Sequence, residues 1–434
     1  MEKTGEIEKL PNVLFIEIDS LSQSSSLRHL PKTTSFIKSH NIVKSTVKGI
    51  RCPSGFCAAM FNKTSIVGQN SVPNQLAALS GCSDHNITGT KSYKRPNLNG
   101  KSALEAWCLE SDLENPWLFN FVGKLGYARY FGEEFCFTQS PYVIQDNLFS
   151  LNPDIHMNDL FCKLSSAIKG QTNQKSLLWG VEHDTSTQPN PCVSGRSRQE
   201  LAFEYIRGMW NAYPGQSKFA YLNTLAAHDY SMDLAYQSLG LEAYDEYLSS
   251  FSEEMLRRPD ADNTIIVLRS DHGLQGGPSP IDFSTQVEHM HPFNNLIIPA
   301  KFLGSLSWMD ELFANQDKLV TGYDLYNTLR GMLQPRDEGT GDPIKLEWIK
   351  GHNSGIPDWS YDLLSQRVPR DRSCEEAKIP KNFCPCMEER TDLMPYFYVG
   401  HAELLPKMKS PDLTLGNDGN ITQSWFQTGK EMKH

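Results

Sequence analysis

No run of apolar residues in this 434-residue sequence approaches the roughly 20 positions that cross a bilayer. Paired Cys-x-x-Cys arrays of the zinc-ribbon type are missing as well, which turns the ten cysteines away from structural zinc. Basic residues are outnumbered, 41 Lys and Arg against 51 Asp and Glu, for a net charge of −10. Their clusters are short, such as "KSYKRP" at 91–96, and none could track a nucleic-acid backbone, so that class of partner is excluded. Internal repeats and low-complexity tracts are also lacking. The opening "MEKTGEIEKLPNVLF" is polar and acidic and has no signal-peptide core. That leaves a cytosolic chain, or one whose leader or anchor lies outside this sequence.

What is present is an ordinary globular composition, 39% apolar and 21% charged, on a chain long enough for one large domain or two smaller ones. The cysteines, at 52, 57, 82, 108, 136, 162, 192, 374, 384 and 386, are even in number and spread along the chain, which favours disulfides. Three N-x-S/T sequons, at Asn62, Asn86 and Asn420, point the same way, toward the secretory pathway.

Four apolar runs read as strands: "NVLFIEI" (12–18), "FAYLNTLA" (219–226), "NTIIVLR" (263–269) and "NNLIIPA" (294–300). Helical stretches at 198–213 and 243–258 lie between them. The alternation predicts an α/β fold with a mainly parallel central sheet flanked by helices. Segment 100–215 is rich in loop-forming residues and is expected to cover the sheet and shape a cleft. From 336 the composition changes, through "QPRDEGTGDP" to "RSCEEAKIPKNFCPC". The division predicted is a catalytic domain over 1–335 and a smaller, disulfide-stapled region over 336–434 packed on it.

Three of the strands end in acidic or histidine residues: Asp19, His228-Asp229 and Asp271-His272. Open parallel sheets build sites at the carboxyl ends of their strands, and a core strand has no structural need for such a tip. Asp19, Asp271 and His272 offer a mixed oxygen and nitrogen set suited to zinc or a similar divalent ion. A lone Asp-His pair is more often a loop cap or an ion pair; three polar tips in one chain shift the reading to a metal. Glu17 shares a strand face with Asp19 and is read as support behind the ligands, with a ligand role or a buried ion pair as alternatives. Ser71 opens the stretch "SVPNQLAALSG". A helix start there would gather unpaired N–H groups that favour an anion, and a hydroxyl among them could serve as a nucleophile. Taken alone, the stretch reads equally as a Ser-capped buried helix.

Taken together, "PNVLFIEIDS", "NSVPNQLAALSG" and "TIIVLRSDHG" resemble the alkaline phosphatase superfamily of sulfatases, phosphodiesterases and phosphoethanolamine transferases. The resemblance is closest to the DUF229 family of sulfatase-like animal proteins, in "EIDSLSQSSSLRHLPKTTSF", in "AAHDYS" and in the tail "CEEAKIPKNFCPC" (374–386). It implies an alkaline-phosphatase-like fold, an extracellular, cell-surface or lumenal setting, and Asp19, Asp271 and His272 as metal ligands. It implies Ser71 as both nucleophile and ligand, and His228 as a catalytic or substrate-binding group. Asn74, His289 and His291 are the further expected substrate contacts. The chain departs from the sulfatase pattern, which has Cys and, four residues later, Arg where Ser71 and Gln75 stand. It also carries "EHMHPF" (288–293) where relatives have E-x-R-x-P.

These features predict a metal-dependent hydrolase or transferase of phosphoesters using a Ser nucleophile. The expected cofactor is one divalent metal, zinc first with calcium or manganese as alternatives, and a second metal is left open. Substrates would be small-molecule, glycan or lipid head-group esters, and a membrane anchor outside the chain is compatible. The alternatives are a sulfoester hydrolase and an inactive protein that binds anionic glycans.

Overall fold

The computed structural model describes residues 9–45, 49–94, 105–109, 116–134, 153–157, 175–178, 181–184, 192–193, 195–228, 234–274, 283–304, 306–337, 343–344, 346 and 355–385. Its centre is a seven-stranded sheet. In chain order the strands are β1 (Asn12–Ile18), β2 (Phe56–Met60), β3 (Ala128–Glu133), β4 (Ile155–His156), β5 (Lys218–Thr224), β6 (Thr264–Arg269) and β7 (Asn294–Pro299). Across the sheet they run β2-β7-β6-β1-β5-β3-β4. Only β7 opposes the rest: it pairs antiparallel with both β6 and β2. The four apolar runs of the sequence are thus strands of one sheet, with β1 in the middle between β5 and β6.

β1 reads as a continuous apolar run because both of its faces are covered. Val13 and Phe15 point into one core and Leu14, Ile16 and Ile18 into the other. The helices are α1 (Gln23–His29), α2 (Pro31–His40), α3 (Ser71–Ser80), α4 (Leu118–Lys124), α5 (Arg198–Ala212), α6 (Leu234–Arg257), α7 (Phe283–Met290), α8 (Leu306–Asn315) and α9 (Gly322–Met332). α3, α4, α8 and α9 share the core of the first face, and α2, α5 and α6 that of the second. None of the described helices is long and apolar enough to cross a membrane.

Segment 100–215 does more than cover the sheet. It supplies β3 and β4 at one edge, with Tyr130 and Phe131 buried on opposite faces. The reason is that β3 alternates too few apolar residues to stand out among the surrounding polar positions.

Residues 355–385, the longest described stretch of the tail, pack directly on this body. Leu363, Leu364 and Val368 enter the same core as α9. Asn315 at the end of α8 donates to the Leu363 and Gln366 carbonyls (3.0 and 2.8 Å) and accepts from Val368 N–H (3.0 Å). Arg372 meets Asp324 of α9 at 2.8 Å with both side chains almost fully buried. Disulfides join Cys52 to Cys57, Cys82 to Cys108 and Cys374 to Cys384. The side chains of Cys136, Cys162, Cys192 and Cys386 lie outside what is described, as does Asn420. Asn62 and Asn86, the other two sequon asparagines, are exposed.

Candidate active site

The polar strand tips meet at one end of the sheet. Asp19 follows β1 directly, still in the ladder through its N–H to the Thr224 carbonyl (2.9 Å). Asp271 and His272 follow β6, the neighbour of β1. One ligand atom from each of Asp19, Asp271 and His272 lies within 4.8 Å of the others, and all three residues are at most 2% exposed.

The hydrogen bonds orient each group. Asp271 Oδ1 accepts from the backbone N–H groups of Ser20 (3.1 Å) and His272 (2.8 Å), while Oδ2 is buried with no hydrogen-bond partner. Asp19 Oδ1 accepts from Ser20 Oγ at 2.9 Å. Ser20 reaches both aspartates because its backbone is left-handed, φ 67°, an unusual state for a non-glycine residue that recurs at functional sites. His272 Nδ1 lies 2.7 Å from the Gly273 carbonyl, which can only accept, so Nδ1 carries a proton and Nε2 is the nitrogen turned to the two aspartates. That Nε2 faces Asp271 Oδ2 at 3.4 Å and Asp19 Oδ1 at 3.8 Å.

Two carboxylates and one imidazole nitrogen therefore converge. Burial, the adjacent Asp271 charge and the charges of Glu17 and Glu133 push the Asp19 carboxyl well above its ordinary range, against the Ser20 hydrogen bond. For Asp271 burial acts in the same upward direction. It is outweighed by His272 and by hydrogen bonds that include the backbone N–H groups of Ser20 and His272, which hold it below its ordinary value. Two buried carboxylates in contact do not both ionise without a cation. An orphaned carboxylate oxygen, a second carboxylate and an imidazole nitrogen converging on one point fit a divalent ion of the zinc class.

Ser71 lies beside this trio. Its Oγ is 3.4 Å from Asp19 Oδ2 and 3.5 Å from His272 Nε2, and the residue is 4% exposed. It is the first residue of α3 and not its cap: Asn70 holds the cap position and its side chain makes no capping bond. The helix stops at Gly81, whose φ of 68° places it in the left-handed region that ends helices.

The expected substrate contacts divide. His228, half-buried, has its proton affinity reduced to a pKa of about 4 by burial first and then by the neighbouring His272, partly opposed by Asp271. His289 on α7 is 2% exposed, its ring centre 5.4 Å from that of His272, and its Nδ1 is 3.1 Å from the same Gly273 carbonyl. Burial, with His272 next, lowers its pKa to about 3. His291 is directed elsewhere, by Nδ1 to the Thr64 carbonyl at 3.0 Å. Asn74 departs from its expected role. Its Oδ1 accepts from Val67 N–H (2.8 Å), and its Nδ2 donates to the Gly68 and Asn70 carbonyls (2.9 and 2.8 Å). Its amide clasps the turn before α3 and has no donor left to offer a substrate. Asp229 lies outside the described residues.

Sequence reasoning missed a layer immediately behind the site. Arg269 and Tyr221 sit inside apolar strands and converge with Gln75 on Glu17. Ser270 was missed as well: it donates to the His272 carbonyl (2.7 Å) and accepts from Leu21 N–H (2.9 Å). The signal for Arg269 was a charge ending an otherwise apolar strand, two residues before Asp271.

Residues 1–392 match the family described as "Protein of unknown function (DUF229)". The chain belongs to the DUF229 family. No curated protein matches this DUF229 chain. Among solved structures it is similar to the C-terminal periplasmic domain of EcEptC from Escherichia coli, in complex with Zn. The two are 12% identical over 78% of this chain and 87% of that one, with a TM-score of 0.45. It is similar to the phosphonate monoester hydrolase SpPMH from Silicibacter pomeroyi, at 14% identity over 83% and 78% of the two chains, TM-score 0.46. It is also similar to the lipoteichoic acid synthase LtaP from Listeria monocytogenes, at 12% identity over 82% and 80%, TM-score 0.43. These are likenesses of general fold and carry no argument about the chemistry of the DUF229 chain.

Proposed function

We propose that this chain is a metal-dependent hydrolase or transferase of phosphoesters with Ser71 as its nucleophile. The observation that carries the reading is the position of Ser71 Oγ, at the start of a helix and within 3.5 Å of both Asp19 and His272. Asp19, Asp271, His272 and Ser71 would hold the metal, which when bound supplies positive charge that eases loss of the Ser71 proton and offsets charge on the ester oxygens.

The residues divide the work as follows. Ser71 Oγ attacks phosphorus, an O–P bond forms to the serine, and the bond to the leaving oxygen breaks. The hydroxyl proton has Asp19 Oδ2 as the carboxylate acceptor in reach. The first-turn N–H groups of α3 have no side-chain partner from Asn70 and face the anion that Ser71 attacks. His228, with a pKa of about 4, is neutral at pH 7 and acts as a hydrogen-bonding group toward the ester and not as an imidazolium acid. His289, with a pKa of about 3, is also neutral, and its Nδ1 proton goes to the Gly273 carbonyl, so it shapes the wall of the site without donating to the ester. Water, for a hydrolase, or an acceptor alcohol, for a transferase, then takes the phosphoryl group from Ser71.

The neutral Gln75, four residues after the nucleophile, and the Ser in place of Cys favour phosphorus over sulfur. The substrate would be a small-molecule, glycan or lipid head-group ester, and the three disulfides among the described residues favour an extracellular or lumenal setting. The large body 1–335 would form the catalytic domain and the stapled region from 336 its buttress.

The test is a panel of phosphate mono- and diesters and sulfate esters, run on protein stripped with a chelator and then reloaded with zinc, calcium or manganese. Turnover of phosphoesters that needs the metal and falls by roughly 10³-fold or more in Ser71→Ala is expected. Sulfoester turnover alone, or none dependent on Ser71, contradicts the reading.

A further inference from the structure

Directly behind the site, four side chains that the reaction does not touch connect the strands bearing its ligands to the helix bearing Ser71. Glu17 precedes Asp19 by two residues on β1, and Arg269 precedes Asp271 by two on β6. The two are partners in the parallel register. Gln75 follows Ser71 by four residues on α3, so both lie on one face of the helix. Gln75 Nε2 donates to Glu17 Oε1 at 2.7 Å, and the Tyr221 hydroxyl donates to the same oxygen at 2.8 Å. Arg269 Nη1 stands 3.3 Å from Glu17 Oε2. Glu17, Gln75 and Tyr221 are fully buried and Arg269 is 4% exposed.

Stability alone does not call for this arrangement. Removing a carboxylate and a guanidinium from water is expensive, and a well-packed apolar replacement is often as stable or more so. The same helix meets the core through Leu76, Ala78 and Leu79 without any polar group. Apolar packing tolerates a slide or a small rotation, whereas directional bonds to a fixed acceptor do not. A nucleophile must be held to within about half an ångström of its productive place.

We propose that Gln75 is the positioning residue for Ser71. Its amide bond to Glu17, itself fixed by Arg269 and Tyr221, sets the height and rotation of α3 over β1. That in turn sets the placement of Ser71 Oγ against Asp19 and His272. The proposal rests on the reading of Ser71 as nucleophile and metal ligand. It ranks Gln75 above Tyr221: both donate to one oxygen, and Gln75 Nε2 also reaches the Tyr221 hydroxyl at 3.4 Å, but only Gln75 belongs to the helix. Loss of the Tyr221 hydroxyl should loosen Glu17 and leave the shorter Gln75–Glu17 bond to hold α3.

The experiment uses cobalt(II) as a visible probe in the metal-stripped full chain. Ser71→Ala first defines the absorption spectrum of the site without the hydroxyl. Gln75→Met, of similar length but unable to donate, is expected to shift the cobalt spectrum toward that of Ser71→Ala. It is also expected to lower kcat by about 10- to 100-fold, with KM within about twofold of wild type. Gln75→Asn, a smaller change, is expected to move both readouts part of the way and guards against a misfolded Met variant. Tyr221→Phe is expected to lower thermal stability and to shift the spectrum and kcat clearly less than Gln75→Met, because the Gln75–Glu17 bond remains. A wild-type cobalt spectrum in both Gln75 variants overturns the proposal, as does an equal shift in Tyr221→Phe. A Ser71→Ala spectrum identical to wild type shows that the hydroxyl is no ligand. That result removes the reading of the site itself and the proposal with it, and it is read before any Gln75 variant is made.

Discussion

His289 makes the electrostatics of single residues testable. Burial holds it neutral, with a pKa of about 3 against an ordinary value near 6.5. A base whose folded pKa is depressed lends stability above its unfolded pKa, and that stability is lost as pH falls from about 6.5 through about 3. Asp19 has the opposite sign: its carboxyl is raised well above the usual range, so it favours the folded state at low pH and loses that effect as pH rises. The comparison is therefore between wild type and His289→Gln, both metal-free, by denaturant melts from pH 7 to pH 4. Wild type should lose stability relative to the variant by up to about 1.4 kcal/mol per pH unit below pH 6. Parallel curves would contradict the burial of a neutral imidazole. At this scale the sequence revealed Asp19, Asp271 and His272, because each polar residue interrupts an apolar run where a core strand gains nothing from it. Arg269 and Tyr221 were hidden: their partner Glu17 is 252 and 204 residues away respectively, and only the folded sheet brings them together.

Among elements, two turns hold the site and each depends on a glycine. Gly81 ends α3 with φ 68°, and a Cβ there would sit 2.7 Å from the Tyr326 ring of α9. Gly81→Ala should lower stability by on the order of 1–3 kcal/mol, measured by denaturant unfolding. Gly273 follows His272, and its Cβ would fall 2.1 Å from the Glu288 carbonyl of α7. Since its own carbonyl is the acceptor for both His272 and His289, Gly273→Ala should push the two elements apart. Zinc affinity, read by competition with a chromophoric chelator, should fall by about 10- to 100-fold. An unchanged affinity would mean that the imidazole is held by other means. The strands and helices around these turns were legible from their periodicity: 12–18, 264–269 and 198–212 fall within a residue of their predicted bounds. The reversed direction of β7 was not, because a fully buried strand has the same composition in either direction. Nor were β3 and β4, embedded in a polar, loop-rich segment.

For the molecule as a whole, the tail acts as a buttress on the face that carries α3. Arg372 sends Nη1 to Asp324 Oδ2 at 2.8 Å and Nη2 to the Trp359 carbonyl at 2.6 Å. The same aspartate accepts from Thr321 N–H (2.7 Å) and Tyr361 N–H (2.8 Å). Arg372→Ala would leave a buried carboxylate without its cation and should cost about 3–5 kcal/mol in chemical unfolding. A loss under about 1 kcal/mol would mean that the strap is not integral to the core. The composition change at 336 marked this region, but its docking by Leu363 and Arg372 could not be read from a stretch with little periodicity.

The central claim is that Ser71 carries the phosphoryl group during turnover. The most direct measurement is acid-quenched mass spectrometry of zinc-loaded protein mixed with an excess of a reactive phosphoester. The account predicts that the peptide containing Ser71 becomes heavier by one phosphoryl unit, transiently in wild type and not at all in Ser71→Ala. Turnover with no adduct on that peptide at any quench time, and undiminished in Ser71→Ala, would contradict it.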